Sequence, residues 1–289
     1  MGRCTSPLTA FQPIAGGPLK FTEKPDHREI KIRCGQCIDC LLERSRQWAV
    51  RCVHEAQLHR QNCFVTLTYS DENLPEFGTL QKHDLQSFFK RLRYHSGPFR
   101  YYACGEYGER TNRAHYHACI FGLNFKDKVH FRQIGEHTLY TSERLTNIWG
   151  LGNCSIGNLS FETAAYTARY VTKKLSKGQA RYVRVDQNTG EVIPVQQPYA
   201  VMSLRPAIAK EWITRFHSDI YNADKDSIIM RGKRMKPTRY YDRIFDQINP
   251  MKMEAIKQRR LMDSETDSDY TNRARATIAR ARVHCKTQV

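Results

Sequence analysis

The segment Ala114-His115-Tyr116-His117-Ala118-Cys119-Ile120-Phe121-Gly122 is the most informative part of this sequence. It combines aromatic and other apolar residues and ends at a glycine, which is typical of a buried or half-buried strand. Because side chains alternate along a strand, His115 and His117 face one side and Tyr116 faces the other. Two imidazoles side by side on a rigid strand are predicted metal ligands. The alternative is that they are ordinary strand residues.

A second strand is predicted just before this one, over residues 99–104, and a polar loop, Gly105-Glu106-Tyr107-Gly108, follows it. Two strands joined in this way indicate an antiparallel hairpin, which places Glu106 near the end that carries His115. Glu106 is therefore the predicted third ligand, with Glu109 as the competing choice and a solvated loop charge as the ordinary alternative for either. Two imidazoles and a carboxylate suit Mn²⁺ or Mg²⁺ bound to a phosphate oxygen.

Other regular elements are predicted on either side of the histidine strand. Residues 64–69 alternate strongly enough to form a strand. A helix is predicted to begin at Thr79, whose hydroxyl is a candidate cap, and to stop at Gly97-Pro98. Apolar residues at three- and four-residue steps, with arginines between them, predict a further helix over residues 41–60.

Residues 161–175 are the second segment that suggests a function. Their alanines and terminal lysines, with Gly178 beyond, favour a helix. Tyr166 and Tyr170 are four residues apart and share a face, and Arg169 and Lys173 each follow one of them by three residues. A tyrosine hydroxyl can attack a phosphodiester when a cation polarises the phosphate. The ordinary alternative is that both tyrosines serve in packing.

The net charge of the chain also indicates a phosphate-rich partner. The 289-residue chain has 46 Lys+Arg against 29 Asp+Glu, a net charge of +17. An excess of this size indicates a polyanionic partner, most often nucleic acid, although a generic basic protein is the alternative. The predicted DNA-binding residues are Arg44, Arg46, Arg169, Lys174, Arg231, Lys233 and Arg234.

Three of the ten cysteines lie in Cys34-Gly35-Gln36-Cys37-Ile38-Asp39-Cys40, at spacings of three. Closely spaced thiolates of this kind bind structural zinc, and Cys4 is the natural fourth ligand, which would attach the N-terminal arm. An iron–sulfur cluster uses the same spacing, and unligated thiols are the further alternative.

The rest of the sequence is less informative. Residues 1–30 are rich in proline and glycine and predict an extended arm without a signal peptide, and no apolar run is long enough to cross a bilayer. We therefore expect a cytoplasmic protein with no membrane partner. Residues 182–195 predict a hairpin, 206–216 and 251–262 predict helices, and the last segment is basic and predicted to be mobile.

Three blocks resemble, in order and spacing, the motifs of HUH-type rolling-circle replication initiators: residues 64–69, the His115-Tyr116-His117 triplet, and Tyr166, Tyr170 and Lys173. With the cysteine block, residues 105–108 and the stretch 43–49, the chain is most similar to the initiators of microviruses, the gokushovirus branch above all. The resemblance extends over roughly residues 1–215.

This resemblance implies an α+β protein in which a five-stranded antiparallel sheet of ferredoxin or RRM type carries the histidines on a central strand, facing the tyrosine helix. It implies three segments: an arm, cysteine cluster and basic helix (1–60), an HUH endonuclease core (61–180), and a hairpin arm with a basic extension (181–289).

The implied activity is a metal-dependent nickase that starts and ends rolling-circle replication. A tyrosine would cut single-stranded DNA at the phage origin through a 5′-phosphotyrosine bond, with Lys173 stabilising the phosphate charge, in the host bacterial cytoplasm and alongside host polymerase and helicase. Lysine can give up a proton when buried and arginine essentially cannot, so Lys173, three residues after Tyr170, favours Tyr170 over Tyr166 as the first nucleophile. The rivals are a non-catalytic zinc-knuckle nucleic-acid-binding protein and an HUH transposase or relaxase.

Overall fold

The computed structural model of the chain describes residues 4–108, 111–135, 137–173, 182–186, 188–222 and 226–262, with side chains other than those of residues 170–173 and 261. The protein is α+β. The helices in this part are α1 (Ile38–Gln57), α2 (Lys82–Ser96), α3 (Glu143–Trp149), α4 (Phe161–Lys173), α5 (Lys210–Ile220), α6 (Arg239–Ile248) and α7 (Pro250–Met262). The strands are β1 (Leu8–Pro13), β2 (His27–Ile32), β3 (Asn62–Tyr69), β4 (Arg100–Tyr107), β5 (Ala114–Phe121), β6 (Val129–Ile134), β7 (His137–Thr141), β8 (Gly152–Gly157), β9 (Val183–Val185), β10 (Val192–Pro194), β11 (Tyr199–Met202), β12 (Ile228–Met230) and β13 (Lys233–Met235).

A seven-stranded antiparallel sheet with the order β11-β4-β5-β3-β8-β7-β6 forms the centre of the molecule. The histidine strand β5 lies between β3 and β4, in agreement with its nearly complete burial. The sheet is larger than the five strands that the resemblance implied. The β6–β7 hairpin extends it at one edge and joins β8 through a single residue pair, Tyr140 with Ile156.

The two faces of the sheet carry separate hydrophobic cores, as alternation along each strand requires. One face packs on α2 and α3, and Tyr116 of β5 lies in this core beside Trp149. The other face packs on α1 and α4. Small buried residues, Ala49 on α1 with Ala164, Ala165 and Ala168 on α4, let these helices approach closely. The histidines lie on this second face.

Most of the predicted elements are confirmed, and the differences have physical causes. The strands over 64–69 and 114–121, the β4–β5 and β9–β10 hairpins, and helices α1, α4 and α7 are present. Strand β4 continues through Tyr107, so Glu106 lies in a strand and not in a loop; it pairs directly with His115.

Two predicted helix starts were wrong. Helix α2 begins at Lys82 with Gln81 as its cap residue, because the Thr79 hydroxyl instead accepts a hydrogen bond from the Gln196 backbone N–H. Helix α5 begins at Lys210, four residues after the predicted start, because residues 206–209 form turns.

The N-terminal segment is not simply an extended arm. Strands β1 and β2 pair as an antiparallel hairpin whose alternation the prolines and glycines of the connection obscured. Strand β11, from residues 199–202, pairs with β4 in the central sheet although the predicted core ended at residue 180, and the division into three segments stays a prediction. The predicted mobile tail and Lys174 lie outside the described residues. No helix in the described ranges is both long and apolar enough to cross a bilayer.

Candidate functional site

A cluster of two imidazoles and a carboxylate lies on the α4 side of the sheet. His115 and His117 project side by side from β5, and Glu106 projects from the adjacent β4, because Glu106 and His115 are direct cross-strand partners. The Nε2 atoms of His115 and His117 lie 2.8 Å and 2.9 Å from the same carboxylate oxygen, Oε1 of Glu106. The structure thus brings together the three predicted ligands, whereas Glu109 lies outside the described residues.

The cluster fits a bound cation. Glu106 is only 1% exposed, and its second oxygen, Oε2, is buried without a hydrogen-bond partner among the residues that the structure describes. A buried carboxylate oxygen without a partner is costly, and a divalent cation held by Glu106, His115 and His117 would satisfy it. Candidate ligand atoms of the three residues all lie within 4.8 Å of one another, which is close enough to share one ion.

The environment separates the acid–base properties of the three side chains. Burial raises the pKa of Glu106, but hydrogen bonds from His115 and His117 outweigh it and hold the pKa below its usual range. For His115, burial lowers the pKa, but the hydrogen bond and charge of Glu106 outweigh this and raise it overall. His117 is more deeply buried, and that burial keeps its pKa below the ordinary value despite Glu106. The carboxylate is therefore ionised at neutral pH.

The other nitrogen of each imidazole has its own partner. His115 Nδ1 lies 3.0 Å from the Arg113 carbonyl oxygen, and His117 Nδ1 lies 2.9 Å from the Thr66 hydroxyl on β3. The Phe64 ring also stacks on His117, with centroids 5.5 Å apart. Such outer contacts orient a histidine ligand and its free nitrogen. Sequence reasoning missed Thr66, although alternation along 64–69 places it on a single face with Phe64.

Helix α4 brings Tyr166 to the cluster. Its hydroxyl donates a hydrogen bond of 3.0 Å to Glu106 Oε1, the oxygen that both histidines contact, and its ring meets the His117 ring edge-on at 5.0 Å. Tyr170 and Lys173 lie in later turns of α4, and their side chains are outside the described part. One of the two predicted tyrosines is therefore in direct contact with the candidate metal ligands.

A second cluster combines the four predicted cysteines. Cys4 and Cys37 Sγ atoms are 3.8 Å apart, and those of Cys34 and Cys40 are 4.0 Å apart. Zinc bound tetrahedrally at about 2.3 Å holds its sulfur atoms roughly 3.8 Å apart, so the spacing fits. Backbone N–H groups also donate to the sulfur atoms, from Cys34 to Cys4 at 3.2 Å and from Cys37 to Cys34 at 3.3 Å.

The thiols of this cluster differ in acidity. Burial raises the pKa of Cys37, but hydrogen bonds from Thr5 and from the Cys40 backbone outweigh it and lower the pKa to about 6. Burial raises the pKa of Cys4 to about 12. The Cys37 thiol is therefore largely ionised at neutral pH, and the thiolate is the form that binds metal.

The predicted DNA-binding residues fall into two groups. Arg44 is exposed on α1, and Arg231, Lys233 and Arg234 are exposed around the β12–β13 turn. Arg231 also pairs with Glu162 in the first turn of α4, so this basic turn lies beside the tyrosine helix.

Arg46 differs from these exposed residues, because its guanidinium is hydrogen-bonded within the protein. Its guanidinium makes two hydrogen bonds to Glu43, at 2.6 Å and 2.8 Å, and a third at 3.0 Å to the Lys236 carbonyl oxygen. Its side chain is only 14% exposed. Arg46 therefore stabilises the packing of α1, and its role as a DNA contact stays a prediction. Arg169 is half-buried on α4.

Comparisons with known proteins relate the chain to replication-associated proteins. Residues 62–175 match the family model described as replication-associated protein ORF2/G2P. The chain is 32% identical over 264 residues to the replication-associated protein VP4 of Bdellovibrio phage phiMH2K, covering 86% of this chain and 79% of that protein. It is 31% identical over 271 residues to the replication-associated protein ORF2 of Spiroplasma virus 4, covering 83% of this chain and 79% of that protein.

A shorter match, 32% identical over 157 residues, relates the chain to the replication-associated protein ORF4 of Chlamydia phage 1, covering 51% of this chain and 39% of that protein. No solved structure matches the chain. The matched region 62–175 contains β3, β4, β5 and α4, the elements that carry the Glu106 and histidine cluster and Tyr166. The chain belongs to the family of phage replication-associated proteins that includes VP4 and ORF2.

Proposed function

We propose that the protein is a site-specific endonuclease and strand transferase that nicks and rejoins single-stranded DNA at the phage origin. It thereby starts and ends rolling-circle replication. The observation that carries the proposal is the contact of 3.0 Å between the Tyr166 hydroxyl and Glu106, the carboxylate shared by His115 and His117. A potential nucleophile beside a set of metal ligands, in a family of phage replication proteins, supports phosphoryl transfer.

Glu106, His115 and His117 would hold Mn²⁺ or Mg²⁺, which would polarise a phosphate oxygen of the DNA when bound. Side chains of the protein position the nucleophile. Glu106 orients the Tyr166 hydroxyl through the hydrogen bond that it accepts, and the edge-on contact with His117 restrains the tyrosine ring. The nucleophile is thus held in place before DNA arrives, which lowers the entropic cost of the attack.

In the proposed reaction the tyrosine oxygen attacks the phosphorus, and a new phosphorus–oxygen bond replaces the bond to the 3′-oxygen. The phenolic proton leaves and the departing 3′-oxygen gains one, so the products are a 5′-phosphotyrosine and a free 3′-hydroxyl. Host polymerase extends that hydroxyl, with a host helicase opening the duplex. Because the ester retains the bond energy, a 3′-hydroxyl can reverse the reaction and rejoin the DNA without ATP.

A second tyrosine allows a second transfer after one round of synthesis. Tyr170 lies one turn beyond Tyr166 on α4, and Lys173 lies near the end of that helix, where its charge would stabilise the phosphate. Lys173 favoured Tyr170 as the first nucleophile on sequence grounds. The contact of Tyr166 with Glu106 supports the reverse order, and we propose that Tyr166 makes the first cut.

The cysteine cluster would bind structural zinc through Cys4, Cys34, Cys37 and Cys40. The Sγ separations of 3.8 Å and 4.0 Å support this assignment over unligated thiols. The DNA backbone would be held by exposed and half-buried cations near α1 and α4 in the host cytoplasm. These are Arg44, Arg46, Arg169, Arg231, Lys233 and Arg234. Lys174, which lies outside the described residues, is proposed to contact the DNA with them.

The test is incubation of the full chain with labelled single-stranded origin DNA and Mn²⁺, followed by a denaturing gel and mass spectrometry of the adduct. We expect a covalent adduct on Tyr166, unchanged in the control Tyr94→Phe, since Tyr94 is 87% exposed on α2 on the opposite side of the sheet. Gel-shift binding without any adduct would favour the non-catalytic zinc-knuckle protein. Adducts formed on transposon ends or plasmid transfer origins, but not on phage origin DNA, would favour a transposase or relaxase.

A further inference from the structure

The two histidines of the cluster are held by different kinds of hydrogen-bond partner. The Nδ1 partner of His115 is a backbone carbonyl oxygen, that of Arg113, at 3.0 Å. A carbonyl oxygen only accepts, so Nδ1 of His115 carries a hydrogen. The Nδ1 partner of His117 is the Thr66 hydroxyl at 2.9 Å, which can either donate or accept.

The kind of partner at Nδ1 determines whether the imidazole can move its hydrogen when Nε2 binds a metal. Without a metal, Nε2 of His117 lies 2.9 Å from the Glu106 carboxylate, which only accepts, so Nε2 carries the hydrogen and Nδ1 accepts from Thr66. A metal ion on Nε2 requires a lone pair there, which moves the hydrogen of a neutral imidazole to Nδ1. Nδ1 must then donate to its partner instead of accepting. A backbone carbonyl in the place of the Thr66 hydroxyl could accept from Nδ1 of His117 in the metal-bound tautomer, but it could not donate to Nδ1 in the metal-free tautomer.

We propose that Thr66 is a positioning residue for the metal site: its hydroxyl keeps His117 hydrogen-bonded in both tautomers and so lets the imidazole take up metal without reorienting. The inference rests on the proposed metal site. The local structure supports it, since Thr66 is the direct cross-strand partner of His117 and Phe64 stacks on the same ring. A β-branched side chain on a strand also has few χ1 rotamers, which fixes the hydroxyl.

Thr68 provides a matched control. It lies on the same strand and the same face as Thr66 and pairs with His115 in the sheet register. Within the described part of the chain its hydroxyl makes no hydrogen bond to either histidine, because the Arg113 carbonyl already occupies His115 Nδ1. Removing a hydroxyl from Thr66 or from Thr68 therefore changes the same chemical group in the same sheet environment, with only one of them touching a ligand.

The experiment measures Mn²⁺ binding to the purified, DNA-free protein by calorimetry and electron paramagnetic resonance. We expect Thr66→Val to weaken binding by about 10- to 100-fold, as loss of an outer-shell partner does. Thr66→Ser should bind nearly as tightly as wild type, and so should Thr68→Val. Equal affinities of Thr66→Val and wild type would overturn the inference while leaving the site intact. If His117→Ala also bound Mn²⁺ like wild type, the proposed metal site itself would be wrong.

A second measurement needs no variant. The ¹⁵N shifts of the His117 ring in wild-type protein report which nitrogen carries the hydrogen, with and without diamagnetic Mg²⁺. We expect hydrogen on Nε2 in the metal-free protein and on Nδ1 in the loaded protein, whereas His115 should keep its Nδ1 hydrogen throughout. Hydrogen on Nδ1 of His117 in both states would show that Thr66 only accepts, and the proposed exchange would be excluded.

Discussion

The two candidate metal clusters of this protein are built in opposite ways. Glu106, His115 and His117 lie on two adjacent strands, with Glu106 and His117 only 11 residues apart, and pairing of β4 with β5 sets their separation. The cysteine cluster joins Cys4 to Cys37 across 33 residues, and three of its members precede α1. Backbone pairing determines the first site, whereas chain closure by irregular segments determines the second.

The two clusters also differ in how much buried apolar surface surrounds them. The strand cluster lies between the sheet and the α1–α4 layer, where buried apolar residues surround it. The hairpin β1–β2 beside the cysteines buries only Ala10 among its twelve strand residues. A metal at the strand site would therefore join a region that the hydrophobic core already holds together. A metal at the cysteine site would instead stabilise an end of the molecule that has few buried apolar side chains.

Helix α1 connects the two regions. Its first turn contains Cys40, and one turn later the Ser45 hydroxyl donates a hydrogen bond of 2.7 Å to the carbonyl oxygen of Ala165, the residue before Tyr166. The cysteine cluster therefore supports the helix against which the tyrosine helix packs. Each of the following predictions tests whether one region serves chemistry and the other stability.

The largest effect is expected from His117→Ala. Loss of a ligand should remove about 4 kcal/mol or more of transition-state stabilisation, a decrease of about 1,000-fold in origin cleavage. The melting temperature and the binding of single-stranded DNA should change little, because β-sheet pairing holds the fold and Lys/Arg contacts hold the DNA. Cleavage rates, thermal unfolding and gel shifts check the three expectations. Normal cleavage would remove the strand cluster from the mechanism.

The tyrosines should show an equally large but selective effect. Tyr166→Phe should eliminate the first covalent adduct on an origin oligonucleotide, since the hydroxyl beside Glu106 is lost. Tyr170→Phe should form that adduct but fail to complete strand transfer and circle release. Adduct mapping by mass spectrometry distinguishes these outcomes. The opposite pattern would restore the order favoured by Lys173, and full rounds by both variants would exclude a two-nucleophile mechanism.

The cysteine cluster should affect stability and not chemistry. The purified protein should contain about one zinc per chain, and Cys37→Ser should lose it and unfold at a lower temperature, by about 2–4 °C for each kcal/mol. His117→Ala is the matched control, and it should keep both the zinc and the melting temperature. Metal analysis that found iron would indicate a cluster instead, and finding neither metal would favour free thiols.

The smallest effect is expected from Ser45→Ala, which removes the link between α1 and α4. Loss of a single buried hydrogen bond should lower the free energy of unfolding by about 0.5–1.5 kcal/mol. Origin cleavage should fall modestly, because Tyr166 directly follows the carbonyl that Ser45 contacts. Chemical denaturation with Ser87→Ala on α2 as the control measures the first effect. An unchanged stability would mean that the two helices are held by apolar packing alone.

Residue spacing within a single strand, helix or loop was enough to predict several features of the site. Alternation placed His115 and His117 on one face and Tyr116 on the other, because that follows from the geometry of any strand. Helical spacing placed Tyr166 and Tyr170 together on α4, and the spacing of the cysteines indicated the second cluster. The same rules misplaced the starts of α2 and α5. A hydrogen bond from the distant Gln196 occupies the Thr79 hydroxyl before α2, and turns over residues 206–209 delay the start of α5.

The sequence by itself determined the kinds of ligand and nucleophile, since these depend on residue type and on spacing within one element. Only the tertiary structure decided how they meet. Strand register set Glu106 opposite His115 and Thr66 opposite His117, and helix packing brought Tyr166 to Glu106. The physical reason is that contacts between elements depend on register and on how side chains fill the space between layers, and both are properties of the whole core.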